Sequence, residues 1–370
     1  MRLDIKINGK EIFVKCKIEV DKDICSFALC ESLNINRIKN NNVDASPVSV
    51  EICELQFRPR MKKYYFNNLE KGLLTFEYYG NINGSFLYMQ EEIYHFSFYN
   101  GWYPIGFDVK EEFEVTIDIN DTYELINGFY DSEHMLWKYN TKHQKLLKDC
   151  NILLINKEKS FKYTNNNFDL YYFNSKYDQY TKKFFERYIY IYNYYVNFYE
   201  EDMIQKTTIV FLPEKYHLGG YRRDNLIVFS EVSEDIDEEM HRLAHEMAHS
   251  YACGADTNKW EDWLNETHAE WSALLYEFEN NKNLFRKSIE NIISMEYSNI
   301  LLKPNGIERP DDVHKVGTIL YYNIYKKYGI NRIKLLLKTF NQLKDKNTSS
   351  FLNELSKKDK ELTKIIESKL

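Results

Sequence analysis

Residues 241–249 read His241-Arg242-Leu243-Ala244-His245-Glu246-Met247-Ala248-His249 and contain His-Glu-x-x-His. The spacing predicts a helix starting near Asp235, with Asp235 and Glu238 placed as N-cap and N3 of a capping box and Gly254 as the C-terminal stop. Residues four apart share a helix face, so His245 and His249 can both aim an imidazole nitrogen at one metal ion about 2.1 Å away. Glu246 falls beside them, in reach of a water rather than of the ion. Chance accounts for roughly 0.02 such matches in 370 positions.

A third ligand is offered beyond Gly254. The stretch Trp260-Glu261-Asp262-Trp263-Leu264-Asn265-Glu266-Thr267-His268-Ala269-Glu270-Trp271 begins a second helix. Glu266 completes a His₂Glu set for one Zn²⁺ per chain, with the fourth position left to water. Glu270, one turn on, is placed to accept the other ring N–H of a ligand histidine and fix its tautomer, and Asn265 supports the same turn. His241 and His268 flank the set and read as helpers behind the ligands or as surface histidines. No His-x-x-Gly-x-x-His begins at His249, so the metzincin pattern is excluded and the gluzincin arrangement remains.

Upstream of this site the pattern changes from helical to strand-like. Apolar residues alternate at Ile12, Val14, Cys16, Ile18, Val20, at Val48, Val50, Ile52, and at Phe113, Val115, Ile117, Ile119, which predicts half-buried strands. Asn40 to Asn42, Gly80 to Gly84 and Asn100 to Pro104 read as turns. Further strands are expected at Phe168 to Phe173, Thr207 to Leu212 and, after a Gly219-Gly220 turn, Asn225 to Phe229, with a long helix from about 177 to 200. The tyrosine-rich block Phe184 to Tyr199 is read as the buried face of that helix, and the last twenty residues as an amphipathic surface helix. The fold class expected is α+β multidomain: a β-rich N-terminal domain over 1–155, a catalytic α/β domain over 156–280 and a helical C-terminal region over 281–370. The hinge is placed near Thr164 to Asn167.

The motif and the helix after it resemble those of a known family. His245-Glu246-Met247-Ala248-His249-Ser250-Tyr251 followed by Trp263-Leu264-Asn265-Glu266 is similar to the signature of the aminopeptidase N-like (alanyl aminopeptidase) gluzincin zinc peptidases. The resemblance implies a β N-terminal domain, a thermolysin-like catalytic domain and a helical C-terminal domain, and it spans from about residue 100 to about 340. The interval from His to Glu is about two residues shorter than is usual in that family. The exopeptidase motif is degenerate: Gly219-Gly220-Tyr221-Arg222-Arg223 occupies the place of a Gly-x-Met-Glu-Asn segment, and Arg222 replaces the glutamate that holds a substrate's α-amine. A guanidinium there implies a carboxylate partner instead. His314 stands where the family's oxyanion-stabilising tyrosine is expected, with Tyr321 and Tyr322 as alternative donors.

Composition narrows the remaining classes. Lys and Arg number 49 against 56 Asp and Glu, a net charge of −7, which argues against a nucleic-acid partner. No apolar run reaches the ~18 residues of a membrane helix and the start has no hydrophobic signal segment, so membrane insertion is not expected and a cytoplasmic location is. The six cysteines are scattered and read as reduced thiols. The function expected is zinc-dependent peptide hydrolysis with Glu246 as general base and a peptide or protein as substrate. The alternatives are an endopeptidase, a hydrolase of acidic substrates, or a peptide-binding relative without catalysis.

Overall fold

The computed structural model describes residues 1–54, 59–81, 88–89, 91–97, 100–106, 112–142, 149–202, 206–213, 220–230, 232–233, 236–294, 301–303 and 309–370. The chain divides into two compact units, Met1–Thr164 with Leu170–Ser175 and Val210–Gly219, and Asn165–Asp169 with Lys176–Ile209 and Gly220–Leu370.

In the first unit the alternation of apolar residues becomes sheet. Glu11–Val20 buries Ile12, Val14, Cys16, Ile18 and Val20 while Phe13 and Lys15 face out, because successive side chains of a strand point to opposite faces. This strand lies inside an eight-stranded sheet between Arg2–Asn8 and Gly72–Asn81. The core side is shared with a three-stranded and a four-stranded sheet. Phe27 of the three-stranded sheet meets Phe76 of the large one edge-on at 4.8 Å, and stacks with Tyr64 and Phe66 of its own sheet. One sequence expectation is corrected here. Ser49–Cys53 is the outer strand of the three-stranded sheet, and Val50 and Ile52 are 47% and 46% exposed instead of half-buried. Periodicity signals a strand but does not reveal whether a second layer covers it.

A five-stranded sheet runs in the order Phe161–Thr164, Phe168–Tyr172, Thr207–Phe211, Leu226–Phe229, Gly220–Arg223. The expected Gly219-Gly220 turn falls partly outside the described residues. Gly220 opens a strand that pairs antiparallel with Leu226–Phe229, and the chain reverses at Asp224-Asn225, where Asp224 takes φ 50°. Gly219 and Asp235 lie outside the described residues.

Eight helices follow among the described residues: α1 Asp178–Tyr199, α2 Ile236–Ala248, α3 Trp263–Asn280, α4 Lys282–Ser294, α5 Val313–Tyr328, α6 Ile330–Asn341, α7 Thr348–Lys358 and α8 Lys360–Glu367. None is long and apolar enough to cross a membrane. Helix α1 buries Phe184, Tyr188, Ile191, Tyr195 and Tyr199 along one stripe. Tyrosines tolerate this position only when their hydroxyls are satisfied, and here Tyr195 donates to Ala244 O of α2 at 2.8 Å while Tyr199 and Ser272 of α3 share a 2.6 Å hydrogen bond. The C-terminal segment is two helices, not one, because Asp359 ends α7 and caps α8 by accepting from Glu361 and Leu362 N–H. All six cysteines are free.

Helix α5 crosses α3 at Gly317. A Cβ there would overlap the side chain of the fully buried Thr267. Gly317→Ala is therefore expected to destabilise the protein by about 1–3 kcal/mol despite alanine's better helix propensity, and Thr267→Ala in the same chain to recover most of the loss. Denaturant unfolding of the two variants checks this; additive losses would mean that the crossing is not the contact at fault.

Candidate metal centre

The site is built on the facing sides of α2 and α3. Helix α2 buries Met240, Leu243, Ala244, Met247 and Ala248, which leaves His241 and His245 one turn apart on the face toward α3. On α3, Glu266, Glu270 and Glu277 are spaced by four and seven residues and so share one stripe. Burial of Trp263, Leu264, Trp271, Leu274 and Leu275 fixes the helix's rotation.

His245, His249 and Glu266 come together, one ligand atom from each lying within 4.8 Å of the others. His245 Nε2 is 3.5 Å and His249 Nε2 3.7 Å from Glu266 Oε2. Tetrahedral zinc with bonds of about 2.1 Å holds neighbouring ligand atoms about 3.4 Å apart, so these separations fit one ion. The tautomers fit as well. His245 Nδ1 faces Glu270 Oε2 at 2.9 Å and His249 Nδ1 faces Ala252 O at 3.1 Å, so each ring donates outward through Nδ1 and turns Nε2 toward the centre. Glu266 Oε2 is sealed from solvent without a hydrogen bond of normal geometry. Burial works to raise the Glu266 carboxyl, but His314, His249 and His245 outweigh it and hold the group ionised, well below the usual carboxylate range. An ionised oxygen ringed by imidazole nitrogens is a place that a divalent cation would suit.

Glu246 is buried on the same turn, and its Oε1 lies 3.3 Å from where a Cβ on Gly220 would stand. Tyr221 is half-buried on the same strand. Arg222 does not present its guanidinium to an incoming group. It is buried, its Nε donates to Asp224 O at 2.7 Å, and its Nη1 donates to Glu246 O and Met247 O at 3.2 and 3.4 Å. Arg222 thus ties the strand Gly220–Arg223 to the last turn of α2.

His314, in the first turn of α5, reaches the centre with Nδ1 3.0 Å from Glu266 Oε2. Its Nε2 accepts from Arg309 Nη2 at 3.1 Å, and Arg309 Nε donates to the buried Asp262 at 2.7 Å. Tyr321 is fully buried, with its hydroxyl 3.1 Å from His268 Nε2, and Tyr322 is half-buried. His268 is neither a helper behind the ligands nor a surface residue. It stacks on Phe340 at 4.3 Å, its Nδ1 donates to Leu264 O, and burial pushes its pKa down to about 3. His241 lies between Glu270 and Glu277.

The fold is similar to that of leukotriene A4 hydrolase. The native enzyme from Saccharomyces cerevisiae superposes with a TM-score of 0.66 at 14% identity, over 99% of this chain and 65% of that one. The chain thus spans about two thirds of its neighbour's length. The shared plan is multidomain, with a β-rich N-terminal region and a helical C-terminal part. No protein-family model matches the sequence, and neither does any curated protein.

Sequence reading missed Glu277 and Arg309. Glu277 had a signal, seven residues after Glu270 on the same helical face. Arg309 precedes α5 and had none, because only tertiary structure brings it to Asp262.

Asn265 closes the loop after α2. Its Nδ2 donates to Ala255 O and Asp262 Oδ1 at 3.0 and 2.8 Å, and its Oδ1 accepts from Ala255 N at 3.1 Å. Asn265→Ala strands buried partners and is expected to cost about 2–3 kcal/mol in urea unfolding. A loss under about 0.5 kcal/mol would mean that water satisfies the loop instead.

Proposed function

We propose that this chain is a zinc-dependent hydrolase of peptide bonds, with the ion held by His245, His249 and Glu266 and with Glu246 as general base. The observation that carries the reading is the convergence of His245 Nε2 and His249 Nε2 on an ionised Glu266 oxygen, with the buried Glu246 one residue from His245. When bound, the metal supplies Lewis-acid polarisation of the scissile carbonyl and acidifies a water molecule. Glu246 accepts that water's proton as it attacks and delivers it to the departing amine. The ring N–H of His314, oriented by Arg309, would donate to the developing oxyanion.

Substrate would lie along Gly220–Arg223, the last strand in the sheet order, which offers backbone groups to an extended peptide beside Glu246. Gly220 leaves the room between that strand and Glu246 open. The intact ligand set beside a buried carboxylate favours catalysis over binding alone, since a structural zinc has four protein ligands. The likeness to an enzyme named as a hydrolase agrees with hydrolysis, and leukotriene A4 belongs among the substrates tried. The acidic-substrate alternative rests on Arg222, which is buried with Nε and Nη1 donating to backbone carbonyls. Peptides with free and blocked N-termini separate the aminopeptidase reading from the endopeptidase one.

Glu246→Gln is expected to keep one zinc per chain and lose at least ~10²-fold in hydrolysis, and a chelator to abolish the wild-type activity. Metal analysis with a fluorogenic peptide scan checks both; a fully active variant sinks the mechanism. Gly220→Val crowds Glu246 and the Phe229 ring, 3.1 Å from the added Cβ, and should lower kcat/KM by about 10²-fold at unchanged zinc content.

A further inference from the structure

Behind the candidate centre four ionisable side chains form one line: Glu277, His241, Glu270, His245. The gaps are 2.7 Å from Glu277 Oε1 to His241 Nδ1, 3.1 Å from His241 Nε2 to Glu270 Oε1, and 2.9 Å from Glu270 Oε2 to His245 Nδ1. The line alternates between α3 and α2, so each hydrogen bond also crosses from one helix to the other. Glu277 is fully buried, and its second oxygen is sealed without a hydrogen-bond partner. An ionised carboxylate only accepts, so an imidazole with a carboxylate oxygen at each nitrogen must carry a proton on both. Burial works against it, but Glu270 and Glu277 raise the His241 pKa to about 10, so the ring bears a positive charge.

We propose that His241 is a positioning residue for the metal centre: a doubly protonated bridge between Glu270 and Glu277 that holds Glu270 against His245 and offsets the buried charge behind it. This rests on the reading of His245 as a metal ligand. Glu270 has two oxygens and two imidazole donors, one on each. With the His241 donor gone, the carboxylate is free to rotate away from His245 Nδ1, and the orientation of the ligand ring goes with it. Glu277 supplies the counter-charge that lets His241 stay protonated in a partly buried position. Residue 241 lies outside His-Glu-x-x-His, yet it occupies the helical turn before His245 on the same face, and Glu277 meets it from the far end of the α3 stripe.

The test separates holding the helices together from orienting a ligand. In wild type, His241→Gln, Glu277→Gln and the double variant, zinc affinity is read by competition with a chromophoric chelator and the melting temperature is read on the zinc-free full chain. His241→Gln should lower the zinc-free melting temperature by on the order of 5–10 °C, because Glu277 is left buried without its partner. It should also weaken zinc binding by about 10- to 100-fold. Adding Glu277→Gln should recover most of the melting temperature while zinc binding stays weak, since Glu270 still lacks its second donor. Wild-type zinc affinity in His241→Gln, or recovery of affinity together with stability in the double variant, overturns the proposal. A wild-type chain that takes up no zinc fails the metal reading itself, and the role of His241 toward the metal falls with it.

Discussion

The structure around the site depends on one electrostatic constraint: Glu266 must stay ionised in a place sealed from water. A buried carboxylate is tolerated only when charge or donors compensate it, and here the compensation converges from three elements, His245 and His249 from α2 and the turn after it, and His314 from α5. Each histidine is in turn held from behind, by Glu270, Ala252 O and Arg309 respectively. Those holders are anchored again, Glu270 by His241 and Arg309 by Asp262. The result is a layered polar network around Glu266, and the apolar faces of α2 and α3 fix where its members stand.

What was legible in the sequence was what is local. His245, Glu246 and His249 share a helical turn, Glu266 and Glu270 share another, and Ile12 to Val20 alternate within one strand; in each case a spacing along the chain is also a direction in space. The buried stripe of α1 was legible for the same reason. Readings that needed a neighbour were less secure. Val50 and Ile52 have the period of a half-buried strand, but among the described residues no second layer covers the edge strand they form. His268 has the apolar surroundings of a core residue only because Phe340 and Tyr321 arrive from later helices. Arg309 meets Asp262 and His314 across a gap that no periodicity spans.

Turn chemistry explains the hairpin before α2. Two adjacent glycines are a strong turn signal, yet Asp224-Asn225 can also adopt the left-handed conformation that a tight hairpin requires. Placing the reversal there lengthens the paired region by the four residues Gly220 to Arg223 and brings a glycine, not a side chain, opposite Glu246. The glycine is then needed for close approach to the carboxylate and not for its freedom at positive φ.

The same hairpin accounts for Arg222. With the reversal at Asp224, Arg222 falls on the side of the strand that faces the end of α2, where the carbonyls of the last turn lack intrahelical donors and the helix dipole is negative. A guanidinium has five N–H groups in a fixed fork and no acceptor, so it satisfies several such carbonyls at once and brings the favoured charge to that end. Its contacts with Glu246 O and Met247 O fall between the two histidines of the motif, at the turn where their spacing is set. An arginine in this place therefore acts on His245 and His249 through the helix backbone, and a sequence position that reads as a specificity determinant becomes part of the frame that keeps the two histidines on one face.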